Sequence, residues 1–135
     1  MAAHSSLEPA DRELLQAPNI AVISTLREDG GILAVPTWVD VEGEHVVLNS
    51  ERSRAWPTNL RERGTVTVTV VDRQNPMNYV SIGGRLAEET TEGAFDHGDR
   101  MAQKYLGRDT YPWHQEGDVR VILRIAPERI TRRDP

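Results

Sequence analysis

Apolar and polar residues alternate with a period of two over several short stretches of the chain, and helical spacing fills most of the gaps between them. The clearest alternation is TVTVTVVD (65–72), where Val66, Val68 and Val70 interleave with Thr65, Thr67 and Thr69. That period puts the valines on one face of a strand. IAVISTL (20–26) is apolar on nearly both faces, as a strand inside a barrel is. REDGG then supplies hairpin chemistry through Asp29-Gly30, and ILAVPTWVDV (32–41) reads as the returning strand. Pro36 cannot donate to a ladder, which places it at a bulge, an edge or an open seam. After a VEGE turn, HVVLNS (45–50) is a third strand. NYVSIGGRLAE (78–88) is a long strand whose paired Gly83-Gly84 marks a bend or a close backbone approach. VRVILRIAPERI (119–130) closes the chain, with Val119, Val121, Leu123 and Ile125 facing one way.

Three helices are expected between these strands. SSLEPADRELLQ starts with Ser6 or Ser5 as a cap, carries Pro9 in its first turn, and sets Leu7, Leu14 and Leu15 on one face. NSERSRAWPTNLRERG (49–64) contains a short helix that Gly64 stops. In TEGAFDHGDRMAQKYLG, residues Phe95, Met101, Ala102, Tyr105 and Leu106 fall near helical spacing and Gly107 ends the run. His97 reads there as a polar helix residue. Six strands with short early hairpins and a helix before the last make a mainly β fold, a six-stranded antiparallel split barrel with helices at its rim. The length of 135 residues fits one such domain over 1–135.

Composition narrows the function. A net charge of −5 argues against nonspecific nucleic-acid binding, which needs a basic excess. There is no cysteine, so thiol chemistry and a cysteine-ligated metal are excluded. No apolar run reaches the roughly 20 residues of a membrane span. The N-terminal residues lack a signal-peptide pattern, and a cytoplasmic location is the expectation. The motifs of a serine nucleophile elbow and of a dinucleotide-binding turn are missing. His4, His45, His97 and His114 are scattered, so no metal site is expected. No carboxylate pair or histidine–carboxylate spacing suggests a tuned catalytic acid.

What remains is the basic and amide-rich run at 49–64. A helix start offers unpaired N–H groups and partial positive charge, to which Ser53 adds a hydroxyl and Arg54 a planar guanidinium. Asn59 lies about a turn and a half further on. An anion cradle is one reading, and a solvated helix face the other; Arg61 is expected to be solvated on either. Tyr79 and Ser81 alternate onto one face with Gly83 and Arg85, either lining a groove or forming an ordinary strand surface. Tyr111, Trp113 and His114 occupy an irregular loop whose rings need cover from a partner or a cofactor.

Read together, these pieces resemble the pyridoxamine 5'-phosphate oxidase-like split β-barrel family. Within it the chain is most similar to the F-420-dependent flavin/deazaflavin oxidoreductase B group of actinobacteria. The matching pieces are Pro36-x-Trp38, Asn49-Ser50, the run Arg54-Ala55 to Asn59-Leu60, NPMNYVSIGGRL, KYLGRDTYPW and the closing VRVILRIAPERI. The resemblance spans about Leu7 to Ile130. It implies a homodimer with two cofactor sites in grooves between subunits, and coenzyme F-420, or alternatively FMN, as cofactor. Ser53, Arg54 and the amides around Ala55 would hold its phosphate. Pro36, Trp38, Asn49, Ser50, Trp56, Asn59, Tyr79 and Trp113 complete the implied cofactor-binding set. No catalytic side chain is implied, because the cofactor supplies the reactivity. The implied activity is hydride transfer to an electron-poor C=C or C=N bond of a small molecule, with an FMN-dependent enzyme or a non-catalytic binding protein as alternatives. One departure stands out. Where the family commonly has lysine two residues after the arginine, this chain has Trp56, which can stack on a cofactor, pack under the helix or fill the groove.

Overall fold

The valine–threonine alternation over 65–71 sorts as its period demands. Val66, Val68 and Val70 are buried, and the threonines lie on the opposite, partly exposed face of the strand. The computed structural model describes residues 3–133, so the two outermost residues at each end of the expected domain lie outside it. In chain order the elements are β1 (Ala3–His4), α1 (Pro9–Gln16), β2 (Ala21–Leu26), β3 (Ile32–Thr37), β4 (Asp40–Glu42) and β5 (His45–Glu51). They continue with α2 (Ala55–Arg63), β6 (Thr65–Val71), β7 (Tyr79–Thr90), α3 (Ala94–Leu106) and β8 (Arg120–Arg133). All strand pairs are antiparallel, in the order β3-β2-β6-β7-β8-β5-β4, with β1 on β8. The sheet does not close, and the split-barrel fold class stands.

Eight strands are present where six were expected. One addition is the two-residue β1. The other comes from the expected strand 32–41, which is two strands. β3 pairs only with β2 at one edge of the sheet, and β4 pairs only with β5 at the other. Trp38 and Val39 therefore carry the chain across the open seam. Pro36 sits on the β3 edge opposite Val22, where a missing N–H is tolerated.

The seam has a cost that α3 meets. Val39 is fully buried and has no strand neighbour for its peptide groups, and buried backbone groups need partners. Its N–H donates to the Tyr105 hydroxyl at 3.0 Å, and its carbonyl accepts from Lys104 Nζ at 2.7 Å. Lys104 also donates to the Leu15 carbonyl at 2.7 Å, and the Tyr105 hydroxyl donates to the Asn19 carbonyl at 2.6 Å. Two adjacent side chains of α3 thus tie the seam to the end of α1.

Helix boundaries and faces differ in detail from expectation. α1 is capped by Glu8 rather than a serine. Asp11 Oδ2 accepts the Glu8 N–H at 2.8 Å, and buried Asp11 also meets His4 and Arg132. Leu7, Leu14 and Leu15 do share the core. α3 buries Ala94, His97, Gly98, Met101 and Ala102, while Phe95 and Leu106 are exposed. The face that meets β5 and β8 runs through 94, 98, 101 and 105, the i, i+4, i+7 series, and Phe95 falls off it. Val47 and Ile122 pack with Ala94, so these strands are buried on both sides and their sequences lose alternation. Val119 lies before β8 and is exposed. The glycine pair behaves as expected at Gly84: a Cβ there would stand 2.5 Å from the Ala126 carbonyl oxygen, beside a register shift. No described helix is long and apolar enough to cross a membrane.

Lys104 is the only lysine in the chain, which makes its titration separable. Burial lowers its ammonium pKa from 10.5 to about 8, against the pull of the Asp40 charge. Between those two pH values the unfolded chain holds a proton that the folded protein has released. The contribution of this site to stability therefore rises as pH goes from about 8 to about 10.5. Urea unfolding across that window should show a rise in the parent protein that Lys104→Met flattens. Equal pH slopes for the two proteins would contradict the assignment.

Candidate functional site

The break at Trp38, the end of β5, the start of α2, α3 and the loop before β8 enclose a cleft of about 340 Å³. Its position follows from the open seam: at that point helix and loop, rather than a neighbouring strand, wall the barrel. The volume is at the lower end of the range for small-molecule sites, roughly 300–1,000 Å³.

One wall is aromatic. Trp38 stacks on Tyr105 with centroids 5.1 Å apart and planes 5° apart, and it meets Tyr111 edge-on at 6.0 Å. Trp113 lies 5.9 Å from Trp38 and 5.7 Å from Tyr111. The rings of this loop thus cover one another to a large extent, although Trp113 remains 58% exposed. Trp56 supplies further apolar lining. It is 5% exposed and belongs to the main core, so the residue replacing the family lysine both packs under α2 and lines the cleft.

The floor is polar and ordered. Arg120 Nε donates to Asn49 Oδ1 at 2.8 Å, which fixes the orientation of that amide. Asn49 Nδ2 then donates to the Ala94 carbonyl at 2.9 Å and to His97 Nδ1 at 3.0 Å. With Nδ1 accepting, Nε2 carries the ring proton and donates it to Asp40 Oδ2 at 3.0 Å. Burial alone would raise the Asp40 pKa. The bond from His97, the Val41 amide and the Lys104 charge outweigh it and hold the carboxyl below its ordinary value. Gly98 lies against this layer, where a Cβ would stand at the ordinary contact distance of 3.7 Å from Arg120 Nε.

The expected site residues divide. Pro36, Trp38, Asn49, Ser50, Arg54, Trp56 and Trp113 all line the cleft. Ser53, Ala55, Asn59 and Tyr79 are not among its lining residues. Ser53 lines a separate shallow depression with Glu51, Thr58 and Arg61. There its hydroxyl bonds to the Glu51 carboxylate, and its N–H donates to the same oxygen at 2.8 Å. The chain's own carboxylate thus takes both Ser53 donors, and the Ser53 bonds hold the Glu51 pKa down. Ala55 opens α2 on the surface, and Asn59 Nδ2 reaches the Thr25 hydroxyl at 3.3 Å. Tyr79 starts β7 opposite Val71 and Arg133. Arg61, expected to be solvated, makes a two-point pair with Glu89 at 2.7 and 2.5 Å.

His97, Asp40, Tyr111 and Arg120 were not identified as site residues from sequence. His97 is fully buried at the cleft floor rather than a surface residue of its helix. The histidine–carboxylate pair it forms spans 57 positions, so no local spacing announces it. The signal available was the helical series 94, 98, 101, 105, whose face includes position 97. Among the described residues, two groups of histidine nitrogens and carboxylate oxygens lie close enough to hold a cation, His4/Glu8/Asp11 and Asp40/Glu42/His97. Each already contains a cationic side chain: Arg132 bonds Glu8 and Asp11, and Arg124 bonds Glu42.

Comparison with known proteins agrees with this architecture. An F420 reductase superposes with a TM-score of 0.79 at 22% identity, covering 89% of this chain and 94% of that one. HupZ from Group A Streptococcus gives 0.68 at 19% identity, with 93% of each chain covered. A putative pyridoxamine 5'-phosphate oxidase from Listeria innocua gives 0.62 at 19%, covering 93% of this chain and 98% of that one. At such identities these likenesses show the fold alone. No curated protein matches. The pyridoxamine 5'-phosphate oxidase family profile matches residues 7–134, nearly the whole chain, and to that family the chain belongs.

Proposed function

We propose that the protein is an oxidoreductase that uses coenzyme F-420 to reduce an electron-poor C=C or C=N bond of a small molecule. The family is one of flavin-type oxidoreductases; the choice of the deazaflavin is the proposal. The observation that carries it is the cleft itself, lined by the Trp38 cluster and Trp56 beside a hydrogen-bonded polar layer. Flat apolar walls suit a planar ring system. The volume holds a ring portion, and exposed Arg54 at the lining is placed to meet a charged tail. When bound, such a cofactor supplies the hydride. This chain's residues then bind and orient: Trp38, Trp56 and Trp113 exclude water, and Asn49 and His97 present a rigid floor. A second reading, FMN as cofactor, is favoured by one residue. Trp56 removes the lysine that would meet the deazaflavin's additional anionic groups.

The functional unit is proposed to be a homodimer. The rings of Trp38, Tyr111 and Trp113 cover one another only in part, and the outer face of β3, β2 and β6 also lacks cover. Val22, Leu26, Ile32 and Val71 are 38%, 38%, 67% and 39% exposed there. Ser24, Ala34, Thr67 and Thr69 lie beside them in register, and none of these is charged. A second copy seated on this face would form an obligate interface, commonly above about 2,000 Å². Sedimentation should show a dimer at micromolar concentration that Ile32→Glu dissociates. A parent protein that sediments as a monomer would contradict the proposal.

Titration of the purified protein with coenzyme F-420 and with FMN, followed by fluorescence, tests the cofactor reading. Tighter binding of coenzyme F-420 is expected. Arg54→Ala should weaken it by about tenfold, the lower end for loss of a charge-assisted bond, because the guanidinium is exposed. Preference for FMN would transfer the proposal to the second reading, and binding of neither would sink both.

A further inference from the structure

Arg120 opens β8 at the floor of the cleft, and its charge is not answered by the chain. It is 8% exposed. Its Nε is committed to Asn49, and its Cζ lies 4.6 Å from the centroid of the Tyr111 ring. Neither partner is an anion. Among the described residues, the arginine–carboxylate ion pairs engage Arg12, Arg61, Arg63, Arg124 and Arg132, and none involves Arg120. Glu51 faces Arg120 across the β5–β8 ladder but turns its carboxylate to Ser53. It feels the guanidinium only as a neighbouring charge.

The terminal nitrogens complete the picture. Among the described residues, no fully buried side-chain nitrogen or oxygen lacks a partner. Those of Arg120 have no protein acceptor, so they open onto the cleft that the residue lines. A charge so deeply buried is costly unless an opposite charge joins it. A guanidinium fixed through Nε presents its outer edge as a fork, which matches two oxygens of a carboxylate or phosphate.

We infer that Arg120 is the anion anchor of the cleft. It takes the carboxylate or phosphate of a flat, ring-bearing small molecule whose ring lies among the tryptophans. Ser53 does not serve this purpose, because Glu51 already takes its hydroxyl and its N–H. The inference rests on the redox reading only in taking the cleft as a ligand site, and it needs no bound redox cofactor.

All three tryptophans of the chain line this cleft, so intrinsic fluorescence reports its occupancy. Two probe pairs isolate the anion: trans-cinnamate against trans-cinnamamide, and FMN against riboflavin. The parent protein should prefer the anionic member of at least one pair by about ten- to a hundredfold, the range for a charge-assisted contact. Arg120→Met should abolish that preference while leaving the neutral member's affinity unchanged. Arg120→Lys, which keeps a point charge but not the fork, should give an intermediate preference and guards against a methionine variant that fails to fold. A loss confined to FMN identifies a cofactor phosphate as the anion; a loss confined to cinnamate identifies a substrate carboxylate. Either result supports the anchor. A parent protein without preference in either pair, or a preference that persists in folded Arg120→Met, would overturn it. Should neither FMN nor coenzyme F-420 bind while the cinnamate preference holds, the redox reading fails alone.

Discussion

The constraint on which the structure turns is the peptide unit of Val39, buried where no strand can pair it. A chain that leaves one sheet edge and joins the opposite one must cross the gap with its backbone groups unsatisfied. Each such buried group costs about 1–3 kcal/mol if left alone. The Tyr105 hydroxyl and the Lys104 ammonium take up the N–H and the carbonyl of Val39. That requirement fixes the rotation of α3 about its axis. With 104 and 105 turned to the seam, positions 97, 98 and 101 necessarily face β5 and the cleft. The place where the barrel fails to close is therefore also the place where its cleft is formed.

Charge is arranged along the same line. Lys104, Asp40, His97, Asn49 and Arg120 run from the seam to the cleft floor, each acting on the next. Asp40 sits between the Lys104 charge and the His97 ring and stays ionised. Among the described residues no second carboxylate pairs with the far end, so the row finishes on a cation. This makes the cleft electropositive in a chain whose net charge is −5. A local field opposed to the global one favours an anionic ligand over the protein's own surface.

Much of the fold was legible because it depends on local periodicity and turn chemistry. The 65–71 alternation, the glycine stops at Gly64 and Gly107, the close approach at Gly84 and the edge position of Pro36 all follow from short stretches. The resemblance carried seven implied site residues to the cleft. The misses concern pairings set by tertiary structure. Nothing near Val39 shows that β3 and β4 belong to opposite edges. Ser53 has the composition of a phosphate ligand, yet Glu51, two residues earlier, competes for the same donors. Arg120 begins an apolar strand and looks like a boundary residue until Asn49 and Tyr111 are placed against it. Phe95 is the more hydrophobic neighbour of the face that α3 buries, but geometry selects His97 instead.

The dependence of the site on the seam can be read at one amide. Tyr105→Phe removes the hydroxyl that accepts the Val39 N–H but keeps the ring that stacks on Trp38. Amide hydrogen exchange, resolved by residue, would then compare Val39 with Val68, which is paired to β2 and β7 in the sheet centre. Strong protection of both amides is expected in the parent protein, and in Tyr105→Phe a selective loss at Val39 with Val68 unchanged. Undiminished protection of Val39 in the variant would show that the seam is held by something other than the Tyr105 hydroxyl of α3.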